Sequence, residues 1–460
     1  MKNKHLFFIA AAVALMLPVQ AQYGSAIVYD TPLYGLFPHS VVRNWTATEV
    51  IEYHGDTQRP DIYQGYFVYK DNTTLFYNYA KMPDNIVVYD FRIFNDIVYF
   101  CGENKSTNEG VLGCFECMEL KMLPPPPYEV HYKYAPIGSS TQLNRIVVYK
   151  DPISSVLRVV ALGYNSIVPC PGSYFCNMAV ECRGLNPGGG TIFYSTRQAY
   201  SMANYEQWTD IVATDNYLAI VGFSQIGSDK GLIIRRCDPS DPLGPMMDDI
   251  YMYPFTEDLS IESIKALSWR DDTIIMAYPW RSQIGNNYTD IRFFHLGSML
   301  NTKAEQYKNQ SKTELYEMAY LPTSKKLIIL EDFDCTGSGQ FSSCFVYINP
   351  LASTLPYSTP YVYDKTYRFK SVTNLDGNYF VGSGHFCFLM CDVNLSFPIN
   401  NNSSTPIPFC PNNEFVIVSE DRVIDYIEFI DNTLQSPDNN NLLPDNQTVY
   451  TSLINTHCFH

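Results

Sequence analysis

The chain has 460 residues and sets 31 Lys and Arg against 47 Asp and Glu, a formal net charge of −16. That acidic excess is not clustered, and it excludes nucleic acid and anionic membrane surfaces as partners, because both would repel it. Its plainest role is solubility.

Met1–Ala21 carries Lys2 and Lys4, an apolar run Leu6–Leu17, and then Val19-Gln20-Ala21. This is the pattern of a secretory signal peptide cut after Ala21. The run is too short for a bilayer, which takes about 20 residues. No cysteine follows the junction, which argues against a lipoprotein anchor, and no later stretch reads as a membrane helix. The expectation is an exported protein, periplasmic or extracellular, of formal charge −18 once two lysines leave with the leader.

Residues 22–62 show no element with a clear role. Tyr63–Ala80 then reads as a hairpin around Asp71-Asn72. From there one grammar recurs, with a strand, a tight polar turn, and a second strand rich in Val, Ile and Tyr. The turns fall at Asp96, Asp151, Asp215, Asp271, Ser324, Asp376 and Asp431, successive steps of 52 to 64 residues. Asp and Asn suit such turns because their short side chains bond local backbone and tolerate left-handed conformations. Strands of this composition fit pleated, half-buried surface. The third unit shows four of them, TDIVAT, LAIVGFS, GLIIRRC and DIYMYPF.

A repeat of this length with four strands per unit is the signature of a propeller blade. The predicted fold is all-β, a seven-bladed β-propeller over residues 63–460 with four-stranded antiparallel blades. The ring would be closed by N- and C-terminal strands, Tyr63–Ala80 supplying the third and fourth strands of a blade begun by Val423–Ile430 and Thr448–Asn455. A pair of β-sandwiches is the alternative, but it offers no reason for sevenfold repetition. Gln435–Asn446, Pro124–Pro127 and Pro187–Gly190 read as loops.

Labelling the strands of a blade A to D puts the short A–B turns on one face of the disc. The B–C loops, at Glu103–Glu109, Gln225–Lys230, Pro279–Asn287 and Asp332–Ser343, vary in length and chemistry and lie on the other face with the D–A loops. Varied loops on a rigid scaffold are where function concentrates. Six residues before each turn stand Asp90, Arg145, Thr209, Lys265, Met318 (or Glu317 by a one-residue shift), Lys370 and Asp425. If the A strands line a central channel, these residues ring its mouth. They either grip a ligand or pair with one another across blades. Trp280 and Tyr288, with Trp208 on the D–A side, could stack on sugar rings or anchor a partner, or could equally serve blade packing.

All 13 cysteines follow the leader. An oxidising compartment permits disulfides, and the expected pairs are Cys101–Cys114, Cys335–Cys344 and Cys170–Cys176. The Cys170, Cys176, Cys182 spacing is not that of a zinc knuckle. Asp332 and Asp334 lack the order of an EF-hand, so no metal or cofactor is expected. There is no HExxH, no G-x-S-x-G elbow and no phosphate-binding G-x-x-x-x-G-K.

The Ala-Gln junction and the phrases NDIVYFCG and GVLG resemble those of exported propeller-like proteins of Bacteroidetes, whose function is generally unassigned. The resemblance implies the fold and export but no catalytic residue. Asp-boxes, paired Kelch glycines and Trp-Asp dipeptides are absent. Two functions stay open. One is a non-catalytic binding or scaffold protein meeting a glycan, peptide or partner protein through its B–C/D–A face. The other is a carbohydrate-active enzyme, a glycoside hydrolase or lyase, with two carboxylates at the channel mouth.

Overall fold

The computed structural model describes residues 25–392, with interruptions, and residues 441–442, 449–451 and 457–459. The described chain is almost wholly antiparallel β-structure, arranged as seven sheets of four or five strands and one two-stranded pair. The sheets are numbered I to VII along the chain. Sheet I comprises His39–Asn44, Glu49–Arg59, Ile62–Asp71 and Phe76–Lys81. Sheet II comprises Ile86–Phe94, Ile97–Asn104, Glu109–Glu116 and Lys133–Ser139. Sheet III comprises Thr141–Lys150, Leu157–Asn165, Cys176–Arg183 and Phe193–Ala199, with Asn441–Leu442 added outside. Sheet IV follows with Asn204–Ala213, Leu218–Ile226, Asp229–Cys237 and Asp249–Phe255.

In sheet V, Asp258–Leu259 and Lys265–Ser268 both pair with Thr273–Arg281, and Asn287–His295 and Leu300–Asn309 follow. Sheet VI comprises Thr313–Leu321, Lys326–Phe333, Ser342–Ile348 and Ser358–Val362. Sheet VII takes Phe369–Asn374, Tyr379–Gly384 and Cys387–Asp392 from one end of the chain and Ser25–Asp30 from the other, with His457–Phe459 outermost. The first strand of each sheet lies against the first strand of the next, and that of sheet VII lies against that of sheet I.

The apolar runs of the sequence follow from this stacking. Successive side chains of a strand point to opposite faces, and here both faces are covered, so the strands read as continuous hydrophobic runs. In TIIMAY of sheet V, Ile275 and Ala277 pack with Leu315, Leu327 and Ile329 of sheet VI. Ile274, Met276 and Tyr278 pack the other way, against Val221, Leu232 and Ile234 of sheet IV. Sheets I and II meet through aromatic rings, with Phe67 edge-on to Phe91 at 5.4 Å and to Phe115 at 4.9 Å.

The first strand kinks at one place in five sheets. A register shift falls between Val88 and Asp90, Leu143 and Arg145, Trp208 and Asp210, Leu315 and Glu317, and Phe369 and Ser371. This is the geometry of a β-bulge, in which two residues oppose one. The bulge pushes backbone onto the second strand. A Cβ at Gly102 would stand 1.9 Å from the Val87 carbonyl oxygen, and one at Gly222 would stand 2.0 Å from that of Gln207. The glycine closing VYFCG and AIVG is therefore the footprint of the bulge.

Two expectations change. Tyr63–Ala80 does contribute to third and fourth strands, but the first two come from residues 39–59, which showed no role in the sequence. The A–B turn there is Trp45–Thr48, without the Asp or Asn of most of the other turns. Asp376, Asp431 and Val423–Ile430 lie outside the described residues, and Val449–Thr451 pairs with Tyr128–Val130. The Cys101–Cys114 disulfide is the second correction. Cys101 stands opposite Leu112 and Cys114 opposite Tyr99, and both are buried free thiols, as are Cys117, Cys182 and Cys237. Burial pushes the Cys101 thiol well up and so keeps it inert. Cys335 and Cys170 lie outside the described residues, as do the side chains of Cys344 and Cys176.

Two outcomes are expected. Gly222→Ala should lower stability by about 1–3 kcal/mol or more, as overpacking does, whereas Gly188→Ala, whose Cβ would meet only Asn186 Oδ1 at 3.4 Å, should be near neutral. Equal denaturant midpoints for the two variants would refute the bulge contact. Alkylation under denaturing, non-reducing conditions should label Cys101, Cys114, Cys117, Cys182 and Cys237. A peptide cross-linked through Cys101 and Cys114 would contradict this arrangement.

Candidate ligand-binding site

The first strand of each sheet is an edge, and its outward N–H groups need acceptors. Side chains of the preceding sheet supply them. Val88 donates its N–H to the Tyr53 hydroxyl (3.1 Å), Ile146 to Asp90 Oδ2 (3.3 Å), Trp208 to Asn177 Oδ1 (3.0 Å) and Ala266 to Asp210 Oδ2 (2.9 Å). Phe369 donates to Ser343 Oγ (2.9 Å), and Val42 of sheet I donates to Ser371 Oγ of sheet VII (3.1 Å). At the same junction Ser40 and Ser383 share a hydroxyl hydrogen bond of 2.6 Å. Thr289 of sheet V reaches Glu331 Oε2 of sheet VI at 3.1 Å.

Asp90, Arg145, Asp210 and Glu317 beside the bulges, with Arg43 and Lys265 on the first strands of sheets I and V, form a collar of alternating sign, in chain order Arg43, Asp90, Arg145, Asp210, Lys265 and Glu317. Arg43 Nη2 contacts Asp90 Oδ1 at 2.7 Å and Glu317 Oε2 at 3.1 Å, and its other nitrogens reach the Phe91 and Val42 carbonyls and Ser371 Oγ. Arg92 adds a second guanidinium to Asp90 at 2.9 Å. Arg145 Nε stands 3.7 Å from Asp210 Oδ1. Asp90 and Asp210 each also accept the N–H of the following residue, Phe91 and Ile211, at 2.9 Å.

The two aspartates are equally enclosed yet shift in opposite directions. Desolvation opposes ionisation of Asp90, but Arg92, Arg43 and Arg145 outweigh it and hold the carboxyl below its ordinary range. At Asp210 desolvation, aided by Glu317, prevails over Arg145, the Ala266 N–H and the more distant Arg92, and the carboxyl is pushed up to about 6.

Beside this collar lies a cavity of about 270 Å³, close to the lower end for small-molecule sites. Sheet III lends Gln142, Asn144 and Arg145, sheet IV lends Gln207, Trp208 and Thr209, sheet V lends Lys265 and sheet II lends Tyr89. These lie toward the start of the first strands, the end at which D–A connections enter and B–C connections turn. Gln142 Nε2 donates to Asn144 Oδ1 at 2.9 Å, and the Tyr164 hydroxyl bonds Gln142 Oε1. Lys265 is 5% exposed and makes no hydrogen bond or ion pair with any described residue. No carboxylate is among the described lining residues.

Of the residues singled out in the sequence, Arg145, Thr209, Lys265 and Trp208 meet at this cavity. Asp90 and Glu317 lie in the collar, bound by Arg43. Lys370 sits 3.6 Å over the Tyr316 ring and 3.7 Å from Asp332 Oδ2. Met318 is a core residue. Trp280 stacks on Tyr288 across the B–C pair of sheet V at 4.7 Å and donates Nε1 to Asp290. Asp425 lies outside the described residues. Arg43, Asp210, Gln142, Asn144 and Gln207 escaped the sequence. The bulge displaces Asp210 one residue from the six-residue count, which picked Thr209 instead. Arg43 sits before a turn that lacks the repeat's Asp.

The elevated Asp210 pKa carries a sign. A carboxyl titrating near 6 in the folded chain and near 3.9 unfolded contributes stability that is fully present below about pH 4 and is lost as pH rises through about 6. The Asp210→Asn variant lacks this loss. Relative to wild type it should gain roughly 1–3 kcal/mol between pH 4 and 7, read as diverging denaturation midpoints. Parallel profiles would show that Asp210 is not the group.

No protein-family model and no curated protein sequence matches the chain. Similar solved structures include the β-propeller domain of the Trilobed protease from Pyrococcus furiosus, at 7% identity and TM-score 0.37, covering 75% of this chain and 89% of that one. NanB, solved with Optactamide, is 10% identical at TM-score 0.33 over 77% of this chain and 68% of its own. A Synechocystis apocarotenoid oxygenase mutant is 7% identical at TM-score 0.36 over 60% of this chain, which spans about three fifths (62%) of the oxygenase.

Proposed function

We propose that this chain is an exported, non-catalytic binding protein. In this reading it is a seven-bladed β-propeller that takes a glycan, peptide or partner protein at the end of the disc carrying the B–C and D–A connections. The blades are sheets I to VII. Closure runs through the contact of the first strands of sheets VII and I, reinforced by Ser371, Ser40 and Ser383 and by Ser25–Asp30 joining sheet VII. The chain opens with a leader over residues 1–21.

The observation that carries the binding reading is the division of labour at the channel. The collar carboxylates are already occupied, Asp90 by two guanidiniums and two N–H groups, Asp210 by two N–H groups and Arg145 and Glu317 by Arg43. The cavity wall instead offers amides, a hydroxyl, an indole and cations. That set can orient a polar ligand. A glycosidase needs two free carboxyl groups about 5–10 Å apart flanking the bond to be cut, and the described lining supplies neither.

A glycan array run alongside reducing-sugar release tests this directly. Binding without release is expected. Sugar release that disappears in the Glu317→Gln or Asp210→Asn variant, with the fold intact by circular dichroism, would replace the binding reading with the hydrolase.

A further inference from the structure

We propose that the cavity between sheets III, IV and V is a site for a small organic anion, whose carboxylate is received by Lys265 and Arg145. The proposal rests on the binding reading and names the chemistry of its ligand. Lys265 is the anomaly that motivates it. Lys265 lines the cavity and is 5% exposed, and among the described residues no carboxylate, carbonyl or hydroxyl bonds it. An enclosed cation with no protein partner loses part of its hydration, and an anion entering the cavity would compensate it.

The neighbouring charges do not complete it. Around the collar Arg43, Arg92, Arg145 and Lys265 face Asp90, Asp210 and Glu317, four cations against three carboxylates. The three carboxylates are taken up by guanidinium and backbone N–H groups, which leaves one positive charge in excess at Lys265. In a chain of net charge −16 this local surplus runs against the global balance. One missing negative charge calls for a monoanion, and a carboxylate matches it better than a phosphate dianion.

The rest of the wall suits the body of such a ligand. Gln142, Asn144 and Gln207 present amides, and Trp208 presents an aromatic surface of the kind that packs on a sugar ring or an aryl group. The space is that of about nine waters in the liquid, so the ligand is of monosaccharide or benzoate size.

The test is calorimetric titration of the full mature chain with matched pairs, glucuronate against glucose and benzoate against benzyl alcohol. At least one anion of a pair should bind at least about tenfold tighter than its neutral partner. Lys265→Met should weaken that anion about ten- to a hundredfold, as loss of a charge-assisted hydrogen bond does. Lys265→Arg should retain most of the affinity. Without ligand, Lys265→Met should melt at a higher temperature than wild type, because it removes the unpaired charge, and this also shows that the variant folds. Neutral partners binding as tightly as anions would overturn the proposal while the binding reading stands. Anion affinity unchanged in Lys265→Met would overturn it too, as would no heat with either anion. Turnover of glucuronides would sink the binding reading, whereas a persisting Lys265-dependent preference for the anion would uphold this one.

Discussion

A sheet whose first strand has no neighbour leaves a column of N–H and C=O groups without partners, and stacking sheets face to face does nothing for them. Here the junctions answer that need with single side chains. Tyr53, Asp90, Asn177, Asp210, Ser343 and Ser371 each catch one N–H of the following first strand. Their residue types differ, but each presents an acceptor at the place where the incoming strand needs one. At Asp90, Asp210 and Ser371 a bulge precedes the acceptor and turns its side chain toward the neighbouring sheet, and opposite the first two, Gly102 and Gly222 admit the displaced backbone.

Charge enters through the same door. Where the acceptor is an aspartate it is buried and must be compensated, and the cation comes from the adjoining first strand, Arg43 for Asp90 and Arg145 for Asp210. Sign therefore alternates along the collar. The alternation is imperfect in energy even where it is perfect in order. Asp90 has two guanidiniums in contact and stays ionised, whereas Asp210 has one, at a distance that spares little of its desolvation cost. The cavity is lined by Arg145 and Lys265, beside the part of the collar where compensation is weakest. In the proposed reading, structural pairing and ligand capture are two uses of one ring of residues, split by which cations the carboxylates leave available.

Legibility followed the range of the interaction. Tight turns such as Asn95-Asp96 and Asp271-Asp272 have both central residues at positive φ, a local demand that Asn and Asp meet and that the sequence displays openly. Strands covered on both faces write themselves as apolar runs, and a glycine that admits a bulge marks its own position. Trp45–Thr48 makes an equivalent turn with other residues and was invisible for that reason. Trp45 is instead recruited by a distant partner, donating Nε1 to Asp96 of the next sheet at 2.7 Å.

The chain's own order of residues was enough to establish the repeat, the antiparallel four-strand unit and a band of charge near the start of the first strands, because each arises from contacts within about 50 residues. Partners were another matter. That Arg43 meets both Asp90 and Glu317, that Ser371 serves Val42, that Cys101 faces Leu112 and stays a thiol, and that Lys265 is left with a cavity for company all depend on which sheets become neighbours and on one-residue shifts of register. A shift of that size reverses the face a side chain occupies, and only the packed sheets decide it.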